Sequence, residues 1–173
     1  TLLTTDLYAP TLFYPPGAIS VGFINNHDTN RVMSDVGGDT QRARTAATFL
    51  MTIPDVPIVY YGEEIGMRGV KGGEGVWDAP RREPMDWYAS EQGPGMTTWW
   101  RPPDRNNKPG DGVSVEEEKG KPDSLLEHYR ALIKLRLGSA ALKRGSVEPV
   151  KFSGGDKAYA FVRRLDNDAV LAV

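Results

Sequence analysis

The chain has no cysteine among its 173 residues. That absence excludes disulfides, thiolate metal sites and thiol catalysis together, but it leaves the compartment open; an extracellular or periplasmic setting is the expectation over a cytoplasmic one. No apolar run approaches the roughly 20 residues needed to span a bilayer. The first residues, TLLTTDLYAP, have neither a basic start nor an apolar signal core, so any signal peptide is expected to have been removed. A formal charge of −2 supplies no basic field, so neither nucleic acid nor a membrane surface is expected as a partner. Internal repeats and low-complexity tracts are also missing. What remains, 39% hydrophobic and 25% charged residues, is the composition of a soluble globular protein.

Apolar patterning divides the chain. Ser20 to Ile24 (SVGFI) is a short apolar run opening into NNHDTNR, which suits a buried strand ending in a polar loop. From Asp39 to Thr52, residues Ala43, Ala46, Ala47, Leu50 and Met51 fall on one stripe, the pattern of a helix lying on a sheet, and Pro54 stops it. Val56 to Tyr61 (VPIVYY) is a second apolar run closed by Gly62. Strand, helix and strand of this length make a βαβ unit with parallel strands, and the lack of polar alternation implies that both sheet faces are covered.

Residues 68–121 form a long connection dense in Gly, Pro and Trp, and connections of that length are functional or disordered. Trp77, Trp87, Trp99 and Trp100 argue against disorder; most are expected in the loop core, with a minority stacking on the apolar face of a ligand. The acidic run Glu116–Glu118 reads as a solvated loop. Ser124 and Glu127 have the spacing of a capping box, followed by Leu125, Tyr129, Leu132, Ile133 and Leu137 at helical spacing, with Gly138 as a stop. After Gly145 three short runs (VEPVKF, AYAFVRR, AVLAV) are separated by turn-forming residues at 153–156 and 166–168, the pattern of a small antiparallel domain.

Phe23 to Asp28 (FINNHD) sits where the first strand ends, the position at which barrel enzymes carry functional side chains. By itself the hexapeptide admits a second, structural reading in which Asp28 caps a turn and His27 fills a polar corner. It is followed, in order, by an αβ unit, VPIVYYGEEIGM and RREPMDW. This series resembles the C-terminal half of the α-amylase family of glycoside hydrolases, over the whole chain.

The resemblance implies an α/β fold: the last two βα units of a (β/α)8 barrel over residues 1–144, then the start of a small antiparallel β-domain over 145–173. It implies that Asp28 is the carboxylate that grips sugar hydroxyls in the cleavage subsite and stabilises the transition state. His27 would donate to the same sugar, and Asp78 with Arg82 would hold the next glucose. For the last pair a purely structural role stays open, with Arg82 bonded to Asp78 or Glu83 to fold the loop. Arg31 reads as a surface or loop-fixing residue, and Glu63 and Glu64 as supports of the barrel rim.

The nucleophile and acid/base carboxylates of the family lie on earlier strands, and none of their motifs occurs here. The expected function is therefore that of a fragment of a retaining α-amylase cutting internal α-1,4 bonds of starch or maltodextrins, inactive alone. An exo-acting α-glucosidase or oligo-1,6-glucosidase, or a non-catalytic carbohydrate-binding homologue, are the alternatives. An α-glucan substrate and the N-terminal half of the same barrel are the partners implied. No metal ligands and no cofactor are expected within this chain, calcium being a ligand open only to the larger enzyme.

Overall fold

The computed structural model describes residues 13–15, 17–150 and 158–173. The chain divides into two compact units. One gathers the residues up to Gly22, Thr48–Ile58 and Leu132–Val173; the other gathers Phe23–Ala47 and Val59–Ala131. The elements are β1 (Val21–Gly22), α1 (Val32–Asp35), α2 (Thr40–Thr52), β2 (Val56–Pro57), α3 (Val115–Glu118), α4 (Leu125–Gly138), α5 (Ala140–Arg144), β3 (Ser146–Pro149), β4 (Phe161–Leu165) and β5 (Asp168–Ala172).

In the first unit β1 and β2 are parallel, with Val21 opposite Val56 and Gly22 opposite Pro57. Val56 N and Ile58 N extend the ladder to the carbonyls of Ser20 and Gly22. Both strands are shorter than the apolar runs that predict them. The expectation that both strand faces are covered does not hold among the described residues: Ile19, Val21, Val56 and Ile58 are all about half exposed or more. β3, β4 and β5 form an antiparallel meander in that order. The turn between β4 and β5 is the two-residue connection Asp166-Asn167, with Asp166 in the left-handed region at φ 51. The other expected turn, at 153–156, lies outside the described residues.

Two arginines close this unit. Arg136 donates to the carbonyls of Met51, Ile53 and Asp55. Arg163, completely buried on β4, donates to those of Thr52, Gly145 and Ser146. They satisfy carbonyls that the end of α2 and the following turns leave without helical partners. The buried stripe of α4 therefore runs Leu125, Tyr129, Leu132, Arg136, whereas Ile133 and Leu137, predicted to be in it, are 42% and 66% exposed. Helical spacing alone does not separate these two faces, since Ile133 lies about 40° from the buried Tyr129 on the wheel and Arg136 occupies the apolar side through its stem.

The second unit contains the long connection. Helix α2 starts as its sequence implies, with Asp39 Oδ1 accepting from Gln41 N and Arg42 N. A core of Ile65, Met67 and Leu126, joined by Met85, Val113 and Val115, lies beneath the loop. Gly62 ends the second strand run at φ 80, a left-handed conformation strained for any side chain, and a Cβ there would also run into Met67.

Two expectations change here. The acidic run is a short helix, α3, held by a complete capping box: Ser114 Oγ accepts from Glu117 N, and the Glu117 carboxylate accepts from Ser114 N. At α4 only half of the expected box forms. Ser124 Oγ accepts from Glu127 N, while the Glu127 carboxylate turns away to Gly120 N.

Candidate functional site

The loop after β1 is shaped locally before it is used. Asn26 Oδ1 accepts from Asp28 N at 2.8 Å and Thr29 N at 3.1 Å, and Thr29 Oγ1 accepts from Asn26 N. This Asx-type turn leaves the next two side chains facing water, with His27 at 58% and Asp28 at 65% side-chain exposure.

All four side chains singled out by the sequence lie together. His27 Nε2 is 3.2 Å from Asp28 Oδ2. On the other oxygen, Arg82 Nη2 approaches Asp28 Oδ1 at 3.3 Å and donates to Asp78 Oδ2 at 2.9 Å. Arg82 Nε reaches the carbonyl of His27. One guanidinium thus bridges two carboxylates that lie fifty residues apart in the chain. The structural alternative for Arg82 is met through Asp78, with which it pairs, while Glu83 faces elsewhere. The cluster offers acceptors from two aspartates and donors from an imidazole and a guanidinium, the complement of a set of vicinal hydroxyls. The Asp78 carboxyl is held below the usual range, chiefly by the hydrogen bond from Arg81.

Beneath these exposed groups is a buried scaffold. Arg31 is 1% exposed, so it fixes the loop and is not at the surface. Its Nη1 donates to Tyr61 O and its Nε to Arg81 O, and its guanidinium carbon lies 4.6 Å and 4.8 Å from the centres of the Tyr60 and Tyr61 rings. Glu63, 2% exposed, accepts from Asn25 Nδ2 and from the Tyr129 hydroxyl, joining the start of the His27 loop to α4. Burial pushes its carboxyl up to about 7.

Glu83 is a clamp. Its carboxylate takes the main-chain N–H and side-chain amide of both Asn106 and Asn107. Asn107 in turn exchanges two hydrogen bonds with the main chain of Arg68. These contacts tie the start of the long connection, at Arg68, to its middle, at Glu83, Asn106 and Asn107.

Sequence reasoning missed Arg81, which is 5% exposed and donates to Asp28 O and to Asp78 Oδ1. The one available signal was its neighbour: consecutive residues in a tight turn point in different directions, so a ligand-facing Arg82 turns Arg81 inward. The tryptophans also differ from expectation: Trp77, Trp87 and Trp99 are about half exposed and do not form a loop core. Trp77 holds φ 43, in the left-handed region, with Lys71 Nζ 5.6 Å from its ring centre.

The fold itself is that of a carbohydrate-active enzyme. The chain superposes on the crystal structure of the α-amylase from H. orenii with a TM-score of 0.79 and 37% identity, covering 97% of this chain and 33% of that one. The α-amylase catalytic-domain family model matches residues 11–145, and the chain belongs to that family. It is 33% identical over 151 residues to alpha-amylase 3 of Dictyoglomus thermophilum, covering 87% of this chain. It is 34% identical over 135 residues to a 4-alpha-glucanotransferase of Thermotoga maritima, covering 75% of this chain. The chain spans 29% of the length of each of these two relatives.

Proposed function

We propose that this chain is the sugar-gripping C-terminal part of a retaining α-glucan hydrolase that cleaves internal α-1,4 bonds of starch and maltodextrins. The observation that carries the reading is the exposed cluster of His27, Asp28, Asp78 and Arg82, joined through one shared guanidinium. In this reading β1 and β2 are the seventh and eighth strands of a (β/α)8 barrel, and residues 145–173 open the β-domain that follows it. The half-exposed Val21, Val56 and Ile58 are then surfaces that the remainder of the barrel covers.

The chemistry follows from the charge that develops during cleavage. As the glycosidic bond breaks, the ring flattens and gathers positive charge, and hydrogen bonds from a carboxylate to hydroxyls beside the reacting carbon strengthen. Asp28 fills that role, with His27 donating to the same sugar. Asp78 and Arg82 hold the neighbouring glucose, so remote binding energy is directed to orientation at the reacting one. A retaining mechanism needs a nucleophile and an acid/base carboxylate roughly 5 Å apart, and both come from the rest of the enzyme. The isolated chain is accordingly inactive. Among the described residues, no three His, Asp or Glu side chains gather as they would to hold a metal ion.

The similarity to a 4-alpha-glucanotransferase supports a second reading, in which the same covalent intermediate is passed to a sugar hydroxyl and not to water. Products from amylose and from maltose separate these readings. Short maltooligosaccharides from amylose with little disproportionation support endo-hydrolysis, elongated products support transfer, and glucose as sole product supports an exo-acting glucosidase. For Asp28 itself, Asp28→Asn in the complete enzyme is expected to lower kcat by roughly 100-fold or more while KM moves little. An unchanged kcat rejects the role.

A further inference from the structure

Arg81 and Arg82 are neighbours with opposite surroundings. Arg82 is 40% exposed in its side chain, whereas that of Arg81 is 6% exposed, sealed within the unit that carries the cluster. The inward side chain reaches two substrate-facing segments at once: Nη1 donates to the main-chain carbonyl of Asp28 and Nη2 to Oδ1 of Asp78. Its own carbonyl accepts from Arg31 Nε at 3.0 Å. The close approach that allows this depends on Gly69, where a Cβ would stand 2.5 Å from Pro80 O and 2.9 Å from Arg81 Cα. Gly69 O accepts from Arg31 N, so the buried arginines and this glycine form one packed support.

We propose that Arg81 is a positioning residue, a buried guanidinium fork that fixes the Asp28 main chain and the Asp78 carboxylate relative to each other, so that two adjacent sugars meet preset acceptors. The proposal rests on the reading of Asp28 and Asp78 as sugar-gripping residues.

Three physical points carry it. The two aspartates lie on different loops, and no regular element joins them, so their spacing must come from side chains. Arg82 also bridges them, but its exposed guanidinium is shared with solvent and with the ligand itself, which makes it a poor ruler. Arg81 is shielded from both, and its planar fork addresses two acceptors in fixed directions, something a lysine ammonium on a flexible stem does less well. A displacement of about 1 Å at such a site is enough to lower the rate by roughly 100-fold.

The test uses the complete enzyme with maltoheptaose, with kcat normalised to the folded fraction measured by near-ultraviolet circular dichroism. Arg81→Ala is expected to lower kcat by roughly 10- to 100-fold with KM within about threefold of wild type, and Arg81→Lys to fall between the two. Millimolar guanidinium is expected to restore part of the activity of Arg81→Ala and none to Asp28→Asn. A normalised kcat within about twofold of wild type in Arg81→Ala overturns the proposal. So does a loss that disappears on normalisation in both the Ala and Lys variants. Asp28→Asn, run in parallel, separates the two levels. If it too keeps its kcat, the sugar-gripping reading has failed; if it collapses while Arg81→Ala does not, only the role of Arg81 has failed.

Discussion

The two compact units solve the same problem, satisfying buried backbone groups, in different ways. In the unit containing β3, β4 and β5, the strand main-chain groups pair in an antiparallel ladder whose register runs from Ser146↔Arg164 to Pro149↔Phe161 and from Phe161↔Ala172 to Leu165↔Asp168, and Arg136 and Arg163 serve the carbonyls outside it. In the unit carrying the His27–Asp28 cluster, the long connection has little regular structure, and carboxylates, carboxamides and guanidinium groups replace the ladder. A ladder distributes stability over many equivalent bonds. A clamp concentrates it in a few side chains, so the second unit is the more sensitive to single substitutions while placing side chains where a strand period would not.

The strongest way to break that comparison is Glu83→Ala. With the carboxylate gone, the buried amides of Asn107 lose their acceptor, and the loop should lose roughly 4 kcal/mol of local stability. Hydrogen exchange in the complete enzyme should show the amides of Asn106 and Asn107 opening while those of Phe161–Leu165 stay protected. Equal protection of both regions would mean that the clamp does not hold the loop.

Acidity should act on Glu63 and on Asp168, one in each unit, with opposite sign. Burial raises the carboxyls of Glu63, Asp86 and Glu118 to about 7. The folded state then binds more protons than the unfolded one between about pH 4.5 and 7, and stability in this unit falls as pH rises through that window, on the order of 3 kcal/mol for Glu63 alone. Asp168 is the reverse case. Its carboxylate accepts from Ala141 N and Ser139 Oγ, which lowers its pKa, so its contribution is present at neutral pH and is lost on acidification below the ordinary aspartate range. Local exchange at pH 5 and pH 8, corrected for intrinsic rates, should therefore favour the cluster unit at pH 5. Glu63→Gln should flatten its dependence, and a parallel trend in both units would contradict the assignment.

Ser114→Ala removes the capping box of α3 and should destabilise the loop by about 1 kcal/mol, visible as faster proteolysis near Val115. The smallest effect is expected at Asp166→Gly. Aspartate tolerates the left-handed region, so relief of strain and the added freedom of the unfolded chain nearly cancel, and the melting temperature should reflect a change within about 0.5 kcal/mol. A larger shift would indicate that the Asp166 side chain contributes more than its turn geometry.

Much of this organisation was legible from local pattern. Of the predicted α2 stripe, Ala43, Ala47, Leu50 and Met51 are buried and Ala46 partly so, because the 3.6-residue period fixes one face whatever the helix packs against. The β4–β5 hairpin turns at Asp166-Asn167 because two turn-forming residues separate two apolar runs. Glu116–Glu118 misled because charge suggests solvent, yet the preceding Ser114 at capping-box spacing marks a helix start.

Sequence alone determined the family and singled out His27, Asp28, Asp78 and Arg82, since motif order and spacing are properties of the chain. Only the tertiary structure decided that Arg82 bridges both aspartates, that Glu83 serves Asn106 and Asn107, and that Arg31 and Arg81 are buried. The physical reason is that an arginine reads the same in a sequence whether its guanidinium meets water or carbonyls. Its role is fixed by acceptors contributed from residues fifty positions away, and those acceptors exist as a set only once the chain has folded.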